Sequence, residues 1–352
     1  MEFTMLEEYM TIWHLKMLVL WILINCSIPW YVIWSNTHLK PDPKRDIAKF
    51  TPWVRTDTHE WSYVMCIFTH FFFIPRYFTL LLCLVFAFIG TTILSIGSKI
   101  DNLGSTRVWL ILQYIKICMR VFGYCFGVPY FTFKRPKVDY SEWLGPDWKP
   151  SYEGATMIIS NHQSWYEVFM TFFFVRPMPG FIAKSSVKNV PSVGMVATAI
   201  GSVYLDRRDK ARRNQVFEII KKRQEEVEEG KAAPLLVFPE GGTTNGKVMT
   251  AFKKGAFASL KPVKPHIVRA WTLVGSGTRG DMMGLWHWSF LIPFMNIITL
   301  PELLEMPVFA PNDYFWNKYW DGKNEEEKWE VFAKAVRQVM AKTGGFALSD
   351  SV

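Results

Sequence analysis

Two long uncharged stretches limit what this chain can become. Met17–Thr37 (MLVLWILINCSIPWYVIWSNT) runs 21 residues without a charge or a histidine, and Tyr77–Ser98 (YFTLLLCLVFAFIGTTILSIGS) runs 22. A helix needs roughly 20 apolar residues to cross the hydrocarbon core of a bilayer, so each is expected to span a membrane or insert deeply. Pro29 predicts a kink in the first, and its tryptophans suit the membrane–water interface. Their length disfavours the rival reading, two core helices of a soluble protein. The whole chain shares the bias, with 50% hydrophobic residues and 16 tryptophans in 352 positions.

Charge does not orient these segments. Lys40, Lys44, Arg45, Lys49 and Arg55 lie between them, whereas Lys99, Arg107, Lys116 and Arg120 follow the second, so positive residues flank both sides. A re-entrant hairpin would leave both ends on one face. Glu2, Glu7 and Glu8 are wrong for the basic start of a signal peptide or a transit peptide. An integral or deeply inserted membrane protein is expected, with the endoplasmic reticulum and the mitochondrial membrane both open. The net charge of +9 suits anionic lipid or a phosphorylated substrate. No basic stripe interleaved with aromatics supports nucleic acid as a partner. Cys26, Cys66, Cys83, Cys118 and Cys125 lie in apolar surroundings without metal-site spacing, and read as reduced, small hydrophobes.

Beyond Gly104 the texture changes. Val108–Tyr130 is apolar but interrupted by Lys116, Arg120 and three glycine or proline positions, which predicts an interfacial helix rather than a span. From about Val138 short apolar runs bounded by turns predict buried strands at Ala155–Ser160, Ser202–Leu205, Pro234–Phe238 and His266–Leu273. Between them Arg212–Glu229 predicts a helix with Val216, Ile219, Ile220 and Val227 on one face. Asn324 and Glu327 mark a helix start; Trp329, Phe332, Val336 and Val339 mark its buried face, and Gly344-Gly345 its stop. The expected fold is α/β, a mixed sheet flanked by helices, behind an N-terminal membrane-embedded helical region. Its expected divisions are residues 1–105 and 106–352, with a motif core at 150–270.

Three clusters carry chemistry. In SNHQSWYEVF (160–169) an apolar strand ends before Asn161 and His162, and a helical run starts at Glu167. A spacing of five does not align two side chains on a helix, so the chain must turn and let the carboxylate reach back to the imidazole. Such a pair fixes the histidine tautomer and leaves the other ring nitrogen to take a proton from a hydroxyl; a structural histidine is the plainer alternative. FPEGGTTNG (238–246) places Glu240 and two glycines at a strand end, where backbone amides approach a ligand closely; a hairpin turn at Asn245-Gly246 is its alternative. GSVYLDRRD (201–209) puts Arg207 at a strand exit, a fork for phosphate or part of a solvated basic face. No GxSxG occurs, which disfavours a serine hydrolase. GSGTRG (275–280) spells a dinucleotide fingerprint, but DMMGLWHWSFLIPFM after it is not a clean helix.

The order of these blocks, with FIAK (181–184) ahead of Arg207 and KKGAF (253–257) after the glycines, resembles the glycerophospholipid acyltransferase family over roughly residues 150–270. The resemblance implies a glycerolipid acyltransferase-like sheet. It also implies acyl transfer from acyl-CoA, a co-substrate, to a glycerol hydroxyl of a lysophospholipid or lysophosphatidic acid. His162 would be the general base and Glu167 its orienting carboxylate. Lys184, Arg207, Phe238, Pro239, Glu240 and Gly241 would contact the phosphorylated acceptor. No bound cofactor and no metal are implied, and the partners expected are phospholipid, lysophospholipid and the membrane. The family has aspartate where Glu167 stands and threonine where Gly242 stands. Those departures leave a second possibility: a weakened or inactive accessory subunit of a larger membrane protein complex that binds lipid.

Overall fold

The apolar run before Asn161 becomes the middle of the sheet. The structure, a computed structural model, describes residues 2–37, 51–53, 63–164, 166–205, 210–273 and 296–350. Strands β1 (Thr132–Lys134), β2 (Met157–Ser160), β3 (Gly180–Lys184), β4 (Val203–Leu205), β5 (Leu235–Val237), β7 (Val263–Thr272) and β8 (Thr299–Glu305) form one seven-stranded sheet. Its order is β1-β8-β7-β2-β5-β3-β4. Every neighbouring pair is parallel except β7 with β8, so the sheet is mixed. Two short strands, β6 (Val248–Met249) and β9 (Ala347–Leu348), pair separately. All four residues of β2 are buried, as a central parallel strand covered on both faces requires.

Strand periodicity then sorts the core into two layers. Ile158, Leu236, Val268 and Leu303 face one side, toward Phe169, Met170 and Phe172 of α5 (Tyr166–Phe174). Met157, Ile159, Leu235, Val263, Ile267 and Leu304 face the other, toward α7 (Lys210–Glu228) and α9 (Lys328–Gly344). Shorter helices α4 (Ser141–Leu144), α6 (Val193–Ala199) and α8 (Asp313–Tyr319) fill the flanks. In α7 the buried row is Val216, Ile220 and Gln224, while Ile219 is exposed, contrary to the expected face. Gln224 earns its place by donating to the Thr156 hydroxyl at 3.0 Å, a partner that apolar periodicity cannot reveal. Ahead of α9, Glu325–Glu327 forms a 3-10 turn, and Gly345 closes the helix in the left-handed region at φ 73°.

Among the described residues three helices are long and apolar enough to cross a membrane: α1 (Glu2–Thr37) over Tyr9–Ser27, α2 (Tyr63–Ser95) over Phe73–Ser95, and α3 (Ser105–Cys125). The third, expected as an interfacial helix, has by length and apolar composition what a span requires. Its basic residues have local partners: Arg120 lies over the rings of Phe131 and Phe173 at 5.8 and 5.0 Å, and Lys116 donates to Gln113 one turn back on the same helix. Trp109, Ile117 and Tyr124 are left exposed on its outer side. The inner faces of α2 and α3 are not separate from the sheet. Phe73, Leu80, Ala87, Ile111 and Ile115 belong to the same buried cluster as Ile158 and Val268. At the α3–β1 junction Gly127 (φ 70°) accepts from the Thr299 amide; a Cβ there would meet the Asn296 and Ile297 carbonyls at 2.6 and 2.7 Å. Arg76 of α2 donates to those same carbonyls. Cys26, Cys83, Cys118 and Cys125 are free thiols, the first two and the last buried.

Candidate active site

Parallel strands β2, β3, β4 and β5 end on one edge of the sheet, and the sequence motifs follow those ends. After β2 the chain is polar yet buried, and each polar group has a use. The Asn161 side chain pairs with both backbone groups of Val268 in β7, donating to its carbonyl at 2.8 Å and accepting from its amide at 2.8 Å. Gln163 donates to the same carbonyl at 2.7 Å. His162, between them, is therefore fixed by anchors on either side. Its amide donates to Glu240 Oε1 at 3.0 Å and its carbonyl accepts from the Thr244 amide at 2.7 Å. Its ring stacks on Phe238 with centroids 4.2 Å apart and planes 17° from parallel.

Glu167 stands in the first turn of α5 and is 1% exposed. Its Oε1 accepts from the amides of Gln163 (2.7 Å) and Ser164 (2.8 Å), two donors in the turn that leads into the helix. This clasp turns the other oxygen, Oε2, toward His162 Nδ1 at 3.7 Å. The spacing of five thus works through a reversed cap rather than a helix face. Among the described residues neither Nδ1 nor Oε2 has a hydrogen-bond partner, so the two atoms face each other. At 3.7 Å it is an ion-pair contact for a protonated ring, a few tenths of an ångström from hydrogen-bonding reach. The imidazole as a whole remains 27% exposed, which leaves it open to a substrate on one side.

The FPEG block follows β5 and wraps this turn. Both oxygens of Glu240 are engaged within the protein: Oε1 by His162, Oε2 by the Thr250 amide (3.0 Å) and hydroxyl (3.3 Å). Burial pushes its carboxyl up to about 7, against the pull of the Thr250 and His162 donors. The Pro239 carbonyl accepts from Lys253, and Gly241 (φ 73°) folds its amide back onto the Phe238 carbonyl. The backbone amides of Gly242 and Thr243 donate to no acceptor among the described residues. Lys184 is exposed at the end of β3, in register with Leu205 of β4. Arg207 lies outside the described residues, as does the GSGTRG stretch. Sequence reasoning did not single out Asn161, Gln163, Thr244 or Thr250 as site residues. The available signal was a polar run, Ser160–Ser164, directly after a strand buried on both faces. Among the described residues no group of three or more histidine, cysteine or acidic side chains is placed to hold a metal ion.

A histidine backed by a buried carboxylate, at a strand-to-helix turn beside a glycine loop, is equipped for general-base chemistry on a hydroxyl. Residues 144–271 match the Acyltransferase family model. Among curated relatives, the lysophospholipid acyltransferase LPEAT1 of Arabidopsis thaliana is 31% identical over 57% of this chain and 47% of its own length. Lysophosphatidylcholine acyltransferase 1 of Danio rerio is 28% identical over 78% of this chain and 47% of its own. The chain thus spans about half the length of these relatives. Among solved structures, the 1-acyl-sn-glycerophosphate acyltransferase PlsC of Thermotoga maritima aligns at a TM-score of 0.44 and 17% identity. That alignment covers 77% of this chain and 97% of that one.

Proposed function

We propose that the protein transfers an acyl chain from acyl-CoA to a glycerol hydroxyl of a lysophospholipid or lysophosphatidic acid. The observation that carries this reading is His162, stacked on Phe238 and facing the buried Glu167 at 3.7 Å. With Nδ1 turned to Glu167, the Nε2 atom takes the proton of the acceptor hydroxyl. The alkoxide oxygen attacks the thioester carbonyl, the carbon–sulfur bond breaks, and the coenzyme A thiolate leaves with the proton returned from the imidazolium. Glu167 offsets the imidazolium charge while it exists. The amides of Gly242 and Thr243, without protein acceptors among the described residues, are the donors for the oxyanion of the tetrahedral intermediate. Phe238 and Glu240 position His162. Lys184 and Arg207 serve the phosphate of the acceptor. Residues 1–105, with α3 after them, anchor the chain in the membrane where the acceptor resides, and the sheet and helices that follow carry the transfer.

The test uses the full chain in detergent or liposomes, labelled acyl-CoA and a panel of lysophospholipids. His162→Ala is expected to lower the transfer rate by about 10²–10⁴, the usual contribution of a general base. Unchanged transfer in that variant sinks the assignment. Absence of transfer to every acceptor by the unaltered protein favours the lipid-binding accessory role instead.

A further inference from the structure

The loop that follows Glu240 is held from a direction the motifs do not announce. Thr51–Trp53 is a 3-10 turn in the connection between α1 and α2, the first two membrane helices. Its Pro52 is buried, and the Pro52 carbonyl accepts from the Asn245 amide at 2.7 Å. The amide one residue earlier, Thr244, holds the His162 carbonyl, also at 2.7 Å. Two successive peptide units therefore clip the loop to the histidine on one side and to the membrane-helix connection on the other. Upstream, the Gly241 amide ties back to Phe238 at 3.0 Å. Between these ties lie Gly242 and Thr243. The indole of Trp53 lies against the first of them: a Cβ built on Gly242 would meet Trp53 Nε1 at 3.7 Å, the sole contact within 4 Å among the described residues apart from its chain neighbours.

We infer that Thr51–Trp53 is a positioning element of the acyl-transfer site. Pro52 fixes the far end of the glycine loop, and Trp53 bears on Gly242, so that the Gly242 and Thr243 amides stay aimed at the oxyanion. The inference rests on the acyl-transfer reading for its chemical consequence, but the clamp itself is a structural claim that stands apart from it. Trp53 touches no reacting atom; it acts through the loop. Donors of this kind act only in the transition state, so loosening them lowers kcat with little change in KM.

The experiment compares the full chain with Trp53→Ala, Trp53→Phe and Gly242→Val in detergent. Transfer kinetics and hydrogen–deuterium exchange of the peptide spanning residues 238–246 are read in parallel. Trp53→Ala is expected to speed exchange in that peptide while leaving the β2 and β7 peptides unchanged. It is also expected to lower kcat about tenfold or more at nearly constant KM. Trp53→Phe, which keeps a ring against the loop, recovers most of both. Gly242→Val, which crowds the indole from the other side, repeats the loss without altering Trp53. Unchanged exchange at 238–246 in both Trp53→Ala and Gly242→Val overturns the clamp. Faster exchange with unchanged kcat overturns its catalytic role. If no variant and no unaltered protein transfers acyl groups, the acyl-transfer reading fails alone, and the exchange result still decides the clamp.

Discussion

At the scale of single residues, the length of one side chain is the quantity to test. Glu167 uses one oxygen to clasp the Gln163 and Ser164 amides and the other to face His162. Aspartate is one methylene shorter and serves both tasks only if α5 shifts toward the turn. Glu167→Asp is therefore expected to lower kcat by about tenfold to a hundredfold, with folding retained because the amide clasp persists. Equal kcat for the two acids would mean that Oε2 does not support the imidazole. His162 and Glu167 were legible in the sequence because their geometry is local, five positions apart at a strand end. The stacking partner Phe238 was read only as a substrate contact, since nothing in FPEG shows that its ring meets an imidazole from another strand. Asn161 and Pro52 were silent for the same reason. Their partners Val268 and Asn245 are fixed by the sheet order and the helix packing, not by spacing.

At the scale of elements, the joint between β2 and β7 deserves its own measurement. Asn161 continues the ladder beyond Ser160 by pairing with Val268 as a backbone would. Asn161→Ala removes two buried hydrogen bonds and leaves the Val268 amide without its acceptor. A loss of about 2 kcal/mol is expected, read as a lower thermal midpoint of the detergent-solubilised chain, together with reduced transfer. An unchanged midpoint would show that the sheet alone holds the turn. The strands read from the sequence were the ones with continuous apolar runs. β7 begins three residues earlier than expected, at Val263 and through Pro265, because its first residues pair with a β2 strand that sets their register. β1, β3 and β8 were not read as strands. Each mixes polar with apolar residues, and β1 and β8 lie toward one edge of the sheet. For α3, the pattern recorded Lys116 and Arg120 but not the rings and amide that receive them.

At the scale of the whole molecule, two buried titratable groups act against each other. His266 is 1% exposed on β7, near Glu305 of β8 and Lys264; burial lowers its pKa to about 4 from 6.5. Its contribution to stability is present above 6.5 and is lost as pH falls toward 4, because the unfolded chain takes the proton first. Glu240 runs the other way. Its raised pKa, about 7 against 4.5, gives stability that is present below 4.5 and lost as pH rises through 7. The two overlap between pH about 4.5 and 6.5 and partly cancel. His266→Phe is expected to remove the first and expose the second, so its thermal midpoint falls with rising pH relative to that of the unaltered protein. A constant difference between the two proteins across pH 4.5–7 would contradict this.

The edge strand β1 also places the chain in time. Thr132–Lys134 follows α3 early in synthesis, yet its parallel partner is β8, and the Arg135–Glu305 pair that extends the joint links residues 170 positions apart. Until β8 emerges, β1 has no ladder, and the inner faces of α2 and α3 lack part of the cluster that covers them. A nascent chain therefore holds an unfinished apolar surface while the residues between β1 and β8 are made, and long-range pairing of this kind closes slowly. Truncation anywhere before Thr299 leaves that surface open, so the segment from β8 onward acts as the lock that completes the helices before β1.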